Sequence, residues 1–244
     1  MPLHLCLARL AVLVLLTLTV SLGAVVVGAA GQPAALPPGV PPAQRAVIQG
    51  VTESAHLSTR VAAEPFVTRR EVFEYLLDHP DFATHVTRAL KLARYKIWST
   101  PEGMFLEDGW GVRGQFRVVY AANGTRIFHA KGEYRKALVP TIQGEAITTI
   151  EYVMTPTANG RTLVQPTVSG FVRIDHRLAV LALKTVSGVA QRKADLEAAR
   201  LMRMFAKVSR AIEEDAAAVW TAVSERPDVP RRELQEFGRL LNVR

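Results

Sequence analysis

Residues 189–224 form a long stretch that contains neither proline nor glycine. Within it, apolar side chains recur at intervals of three and four residues, while most charged side chains fall between them. This spacing predicts one long amphipathic helix with a single face to bury. The rest of the chain must therefore supply a surface that covers one helix over most of its length, which restricts the fold classes available.

Such a surface is predicted by segments that alternate between apolar and polar residues. The alternating segments are residues 111–122, 126–135, 146–155 and 161–175. Asn123-Gly124 joins the first two, and Asn159-Gly160 joins the last two; both pairs favour tight β-hairpins. Pro166 and Gly170 predict that the last strand is bent or lies at a sheet edge. We therefore predict an antiparallel sheet with one apolar face.

Two short helices are predicted ahead of the sheet, after a weak strand. Thr68 followed by Glu71 has the pattern of a capping box at the start of the first helix. Pro80 suits the first turn of the second helix, with Asp78 or His79 as its N-cap. The two helices should therefore meet at a sharp turn.

The N-terminal region is expected to lie outside the fold. Residues 1–30 combine Arg9, an uncharged apolar run and small residues at its end. This predicts a secretory signal peptide cleaved after Ala30, with an uncleaved membrane anchor as the alternative. Residues 31–45 are rich in proline and predict an extended linker. Cys6 is the only cysteine, so a mature chain would have no disulfide and no Cys-ligated zinc.

The order of predicted elements is strand, two short helices, antiparallel sheet and closing helix. It resembles the START-like superfamily, also called the Bet v 1 or polyketide cyclase/dehydrase group. The segment VFEYLLDHPDFATHV, with Leu76, Asp78, Pro80 and Phe82, is similar to the helix–turn–helix of that family. The resemblance implies an α+β helix-grip fold, in which a curved sheet wraps around the C-terminal helix. The domain would span residues 46–226, followed by a tail at 227–244 that contains a short helix.

The resemblance also implies a cavity between sheet and helix that holds a hydrophobic ligand. If the more apolar strand face points inward, the sheet contributes Phe116, Val118, Tyr120, Phe128, Tyr134, Ile150, Tyr152 and Val172. The helix contributes Leu201, Phe205, Val208 and Ile212. The alternative is that these side chains pack as a solid core.

Catalytic and metal chemistry have little support in the sequence. His79, Asp81 and His85 suggest a metal site, but helical rotation and Pro80 separate them, and His85 is expected on the solvent side of its helix. His129 is expected to face solvent. No nucleophile elbow and no glycine-rich nucleotide loop occurs, so neither a catalytic residue nor a cofactor is predicted.

The formal net charge of +8 favours acidic partners. The basic side of the long helix carries Arg192, Lys193, Arg200, Arg203, Lys207 and Arg210, which suggests contact with an anionic membrane surface. Nucleic acid is not expected, because no basic run is interleaved with aromatics. The leading hypothesis is an exported bacterial carrier of a hydrophobic small molecule or lipid, in the periplasm or cell envelope. A cyclase-like or hydrolase-like enzyme and a ligand-free structural module are the alternatives, and the oligomeric state is left open.

Overall fold

The computed structural model describes residues 35–137, 139–177, 179–181 and 187–243. The strands are β1 (Leu57–Ala62), β2 (Phe66–Thr68), β3 (Lys96–Thr100), β4 (Gly103–Glu107), β5 (Val112–Ala122), β6 (Thr125–Lys136), β7 (Val139–Pro156) and β8 (Thr162–Ile174). The helices are α1 (Pro42–Glu53), α2 (Arg70–Asp78), α3 (Pro80–Ala89), α4 (Ser187–Ser224) and α5 (Arg231–Leu241). None of the helices in these ranges is long and apolar enough to cross a membrane. The predicted signal peptide lies outside the described residues.

The strands form one antiparallel sheet in the order β1-β8-β7-β6-β5-β4-β3, and β2 also pairs with β8. The two predicted hairpins are confirmed. Asn123 and Gly124 both have positive φ, 49° and 70°, as a tight turn of this kind requires. With α4 on the inner face of the sheet and α2 and α3 near its start, the chain has the predicted α+β helix-grip fold.

Strand β8 is not an edge strand, so of the two alternatives predicted from Pro166 and Gly170, a bend or an edge position, the edge position is wrong. β8 pairs with β7 on one side and with β1 and β2 on the other. The Pro166 carbonyl accepts a hydrogen bond from the Ala63 amide over 2.9 Å, at the point where β1 gives way to β2. In an antiparallel sheet, the amide and carbonyl of one residue face the same neighbouring strand. The nitrogen of Pro166 therefore faces the interruption between β1 and β2, and its lack of a hydrogen removes no hydrogen bond to β7.

Helix α4 covers the predicted range but is not continuous. Asp215 has φ −157° and ψ 90°, which divides the helix into two segments. The Asp215 carboxylate accepts a hydrogen bond from the Ala218 amide over 2.8 Å, so it caps the second segment. The apolar spacing carries no sign of this break. An aspartate inside the pattern is the one local signal, since aspartate favours caps over helix interiors.

Two buried polar contacts fix α4 above one side of the sheet. The Thr59 hydroxyl of β1 donates to the Asp195 carboxylate. The Ser209 hydroxyl donates to the Thr68 hydroxyl oxygen at the end of β2 over 2.9 Å. The helix therefore lies along β1 and β2 and leaves β5 to β7 less covered.

Thr68 does not cap α2, so the predicted capping box is wrong. The helix begins at Arg70, and its N-cap position, Arg69, makes no side-chain capping bond. Thr68 is fully buried as the last residue of β2, where its hydroxyl serves α4 instead. Tertiary contact has overridden the local signal.

Helix α1 was not predicted, and its first turn lies in the proline-rich segment. Pro42 occupies its first turn, where a proline is well tolerated. Ile48 and Val51 are buried against the outer face of the sheet, together with Val40 from the segment before the helix. The prediction that residues 31–45 form an extended linker is therefore wrong for residues 42–45, which begin α1. The signal was the three-residue spacing of Ile48 and Val51.

The turn between α2 and α3 is confirmed, with Pro80 in the first turn of α3. His79 occupies the N-cap position of α3, one of the two residues predicted for it, but its side chain makes no capping hydrogen bond. Asp78 pairs instead with Arg126 of β6, and the His79 ring donates from Nδ1 to the Tyr75 carbonyl over 2.9 Å. His85 is buried rather than exposed, 3.6 Å from the Asp228 carboxylate.

The predicted C-terminal helix is present as α5, but it is more than a surface segment. Phe237 is fully buried, and its ring lies 5.2 Å from that of Phe82 of α3. Leu241 is buried in the same cluster, which also contains Val219 and Val223 of the second segment of α4. The two C-terminal segments therefore form a helical layer against α2 and α3.

Candidate hydrophobic binding site

A cavity of about 180 Å³ lies between the sheet, α2, α3 and α4. The helices contribute Leu76, Leu77, Pro80, Ala83, Leu201 and Phe205 to its wall. The strands contribute mainly apolar side chains, among them Ile97, Leu106, Val112, Phe116, Phe128, Tyr134, Ile142, Ile150, Val172 and Ile174. The site is thus an apolar chamber on the inner face, where α4 leaves the sheet uncovered.

The floor of the cavity is open because its strands carry small residues in register. Gly114, Gly132 and Gly144 face one another across β5, β6 and β7. In the next row, Ala130 pairs with Ala146 on one side and Phe116 on the other. Side chains alternate between faces, so the glycines and alanines of these rows project little or nothing into the chamber, although Phe116 borders it. The cavity therefore results from the small residues on these strands.

The glycines are also required by the backbone. A Cβ atom on Gly132 would lie 2.7 Å from the Arg113 carbonyl oxygen, and one on Gly114 would lie 2.7 Å from that of Lys131. Both contacts are with backbone atoms, which cannot move aside as a flexible side chain would. The close approach of the strands therefore depends on glycine at these positions.

Gly132→Ala is expected to lower the free energy of unfolding by about 1–3 kcal/mol, because the new methyl group collides with β5. Urea denaturation measures this directly. Gly50→Ala is the matched control: nothing lies within 4 Å of its Cβ position, and it sits inside α1. That variant should gain about 0.5–1 kcal/mol. Equal effects of the two substitutions would contradict the close strand approach.

The structure places seven of the twelve predicted ligand-binding residues at the cavity. Those seven are Phe116, Phe128, Tyr134, Ile150, Val172, Leu201 and Phe205. Val118 does not border the cavity, although it pairs with Phe128. Tyr152 packs edge-on against Phe73 at 5.2 Å. Val208 and Ile212 lie deeper, in the cluster with α2 and α3.

Tyr120 lies on the opposite face of the sheet from its predicted position. A β-bulge shifts the register after Val118, so Tyr120 pairs with Ile127 of the outer face. Its ring packs against α1 and lies 3.3 Å from the Cβ position of Gly39. An extra residue in a strand reverses the phase of everything after it, and a period-two pattern cannot reveal where it occurs.

Sequence reasoning missed the wall formed by α2, α3 and the β3–β4 hairpin. Leu76 and Pro80 belong to the segment that carries the family resemblance, but their side chains were not assigned to the site. The alternation of glycine with longer residues on β5 and β6 was the signal available for the floor. Single glycines in a strand often mark a close backbone approach.

Few polar side chains reach the chamber. Thr148 is buried on its floor. Burial raises the pKa of the Tyr95 hydroxyl to about 12, although a hydrogen bond with Thr87 opposes this rise. Tyr95 therefore stays neutral at physiological pH. A guest in this chamber would meet mainly apolar atoms.

His129 is buried, so the prediction that it faces solvent is wrong. It belongs to the outer face of the sheet. Ile147, its partner on β7, and Phe171, the partner of Ile147 on β8, pack there under α1. Its Nε2 lies 3.5 Å from the Glu145 carboxylate, and burial lowers its pKa. Burial alone would raise the pKa of Glu145, but Lys131 and Arg173 hold it below its ordinary value. This imidazole–carboxylate pair lies across the sheet from the cavity, so it gives no support to catalysis there.

Glu197 of α4 carries a buried carboxyl group. Desolvation raises its pKa to about 7, against the opposing charges of Arg200, Lys193 and Arg203. Arg200 lies 3.9 Å from the Glu197 carboxylate. Because the folded pKa exceeds the unfolded one, Glu197 supports stability at low pH, and this contribution is lost as the pH rises toward and through about 7.

Glu197→Gln is therefore expected to stabilise the protein on the order of 2 kcal/mol at about pH 8, and far less near pH 5. At the lower pH the wild-type carboxyl group is already neutral in the folded state. Urea midpoints at the two pH values give the comparison. Glu214→Gln, at an exposed position of the same helix, should change neither midpoint. A gain from Glu197→Gln that is equal at both pH values would contradict the raised pKa.

Within the described ranges, no three His, Cys, Asp or Glu side chains come together in a way that could hold a metal ion. The residues considered from the sequence do not converge. The His79 ring is engaged at Tyr75, while Asp81 accepts a hydrogen bond from Ser99 over 2.5 Å. His85 is turned toward Asp228.

No protein-family model matches the sequence, and no curated protein matches it. Among solved structures, it is similar to a hypothetical protein from Helicobacter pylori, with 9% identity over 77% of this chain and 100% of that chain and a TM-score of 0.40. A conserved protein from Geobacillus kaustophilus has 14% identity over 64% of this chain and 93% of its own, with a TM-score of 0.36. Truncated norcoclaurine synthase from Thalictrum flavum has 14% identity over 57% of this chain and 91% of its own, with a TM-score of 0.32. These likenesses are distant, and the helix-grip assignment rests on the strand order and helix placement of the chain itself.

Proposed function

We propose that this protein is an exported member of the START-like superfamily that binds or carries a hydrophobic ligand in the cavity between the sheet and α4. The observation that carries the proposal is the apolar chamber of about 180 Å³ above an in-register patch of glycine and alanine. A sheet that only packed against its helix would fill this space with larger side chains. Export rests on the sequence of residues 1–30 alone.

The volume limits what the chamber holds. An apolar cavity of about 150 Å³ is enough to take a benzene ring. The guest is therefore a single ring or a segment of an acyl chain, and a larger lipid would leave its remainder outside. Each buried methylene contributes about 0.8 kcal/mol, so a six-carbon segment gains about 5 kcal/mol, equivalent to sub-millimolar affinity. Polar contacts at the headgroup would have to supply any tighter binding.

Native mass spectrometry of protein purified from an envelope fraction tests the proposal, together with extraction of whatever co-purifies. The expected result is a bound species that carries an alkyl chain or ring and is released by organic solvent. A fluorescent fatty-acid analogue should also be taken up saturably. Unliganded protein that takes up no apolar probe would contradict the proposal and favour a filled, structural module.

A further inference from the structure

One end of the sheet concentrates exposed cations that have no acidic partner. This end holds the β4–β5 and β6–β7 turns, the residues leading into β3 and those after β8, and the first turns of α4. Its exposed cationic side chains without an ion pair among the described residues are Lys91, Arg94, Lys96, Lys136, Arg177 and Arg192. We call this surface the basic end.

The carboxylates at the basic end are mostly neutralised. Glu107 pairs with Arg113 at 3.0 Å and Glu133 with Arg135 at 3.2 Å. Asp175 lies 3.4 Å from Arg173. Among the described residues at this end, Glu53 of α1 alone is exposed without such a partner. At the opposite end of the sheet, the exposed turns carry Glu64 and Glu102, so the two ends differ in charge.

Exposed apolar side chains share the basic end with the cations. Trp110 is 47% exposed at the tip of the β4–β5 turn, Leu181 is 62% exposed after β8, and Val189 is 64% exposed in the first turn of α4. The turn that carries Trp110 is held firmly. Its buried Asp108 carboxylate accepts the Trp110 amide over 2.7 Å and the Val112 amide over 3.0 Å.

The basic end is also one end of the cavity. Val112, Tyr134, Ile142 and Ile174 line the chamber and lie at the bases of these turns. The Arg135 amide donates to the Gly111 carbonyl over 2.8 Å, which joins the Trp110 turn to the end of β6. The exposed tryptophan and the apolar chamber are thus adjacent.

From this arrangement we propose that the basic end docks on an anionic lipid bilayer, so that ligand passes between the bilayer and the adjoining end of the cavity. The inference rests on the proposed function. A tryptophan beside unpaired cations matches the interfacial region of a membrane, where aromatic rings sit among headgroups and cations meet anionic lipid. Charge complementarity selects this partner, because the free cations outnumber the free carboxylate at this end.

The test is co-sedimentation with vesicles of equal parts phosphatidylglycerol and phosphatidylcholine, compared with phosphatidylcholine alone. Wild type should bind the anionic vesicles and release them at high salt. Each cation near an anionic surface increases the partition coefficient of the protein onto the membrane about fivefold. K136E/R177E should therefore weaken vesicle binding by tenfold or more. The matched control is K207E/R210E, which makes the same charge change on the exposed side of α4. It should weaken binding much less.

Trp110→Ser should also weaken vesicle binding, whereas Trp98→Ser, at a tryptophan that is 40% exposed on β3, should not. Equal losses in the two charge variants, or no binding by wild type, would overturn the docking surface.

Uptake of the fatty-acid probe without vesicles should stay unchanged in every variant. If the protein takes up the probe but does not bind vesicles, the docking proposal is wrong and the proposed function stands. If it binds vesicles but takes up no probe, the proposed function is wrong and the docking surface stands.

Discussion

Replacing Ala130 with phenylalanine is expected to abolish binding of an apolar ligand while leaving the protein folded. Ala130 lies on the small-residue floor of the cavity, and the added ring is the size of the guest that the chamber admits. The ring would therefore occupy the site permanently. We expect the dissociation constant of the fatty-acid probe to rise by at least about tenfold, a loss of about 1.4 kcal/mol or more.

Thermal unfolding separates this outcome from simple loss of structure. Filling a cavity commonly raises stability, whereas overpacking costs about 1–3 kcal/mol, so the midpoint should change little. Val172→Phe fills the same chamber from β8 and provides a second variant. Thr155→Phe is the control, since Thr155 is exposed on β7 and does not border the cavity. Probe affinity that survives both filling substitutions would place the binding site elsewhere.

Asp78→Ala is expected to lower the free energy of unfolding by about 2–3 kcal/mol, because it leaves the buried Arg126 guanidinium without its partner, while the 40% exposure of the Asp78 side chain screens part of the interaction. The two side chains form a bidentate pair, with Nε–Oδ1 at 2.6 Å and Nη2–Oδ2 at 3.0 Å. The Arg126 side chain is 8% exposed. The pair ties the α2–α3 turn to β6 and so fixes the helical wall of the cavity.

The double variant D78L/R126M should recover most of this loss, to within about 1 kcal/mol of wild type, since a buried ion pair is usually replaceable by apolar groups. Glu107→Ala removes the matched but exposed pair with Arg113 and should cost less than about 1 kcal/mol. Urea denaturation of the four proteins gives the comparison. A double variant no more stable than Asp78→Ala would contradict the account, because it would show that the apolar pair cannot take the place of the ion pair.

The elements that sequence reasoning predicted well are those with strong local signals. The Asn123-Gly124 turn requires positive φ, and the alternating residues on either side of it predicted β5 and β6 as observed. The spacing of Leu201 and Phe205 predicted the inward side of α4. In each case a local propensity and the global fold favour the same structure.

The failures arise where distant contacts decide the outcome. The bulge at Val118 reverses the face of Tyr120, and Thr68 serves α4 instead of capping α2. His129 was expected in solvent because α1 was not predicted, and it is α1 that packs on its row neighbours. The open cavity could not be predicted from residue type, since aromatic side chains in strands form solid cores equally well.

Photolabelling with a diazirine fatty acid tests most directly whether the chamber between the sheet and α4 holds the ligand. We expect saturable labelling of the β6 peptide around Phe128 and of the α4 peptide with Leu201 and Phe205, and unlabelled fatty acid should suppress it. Labelling confined to exposed positions such as Trp98 or Val153, or labelling that never saturates, would contradict this expectation.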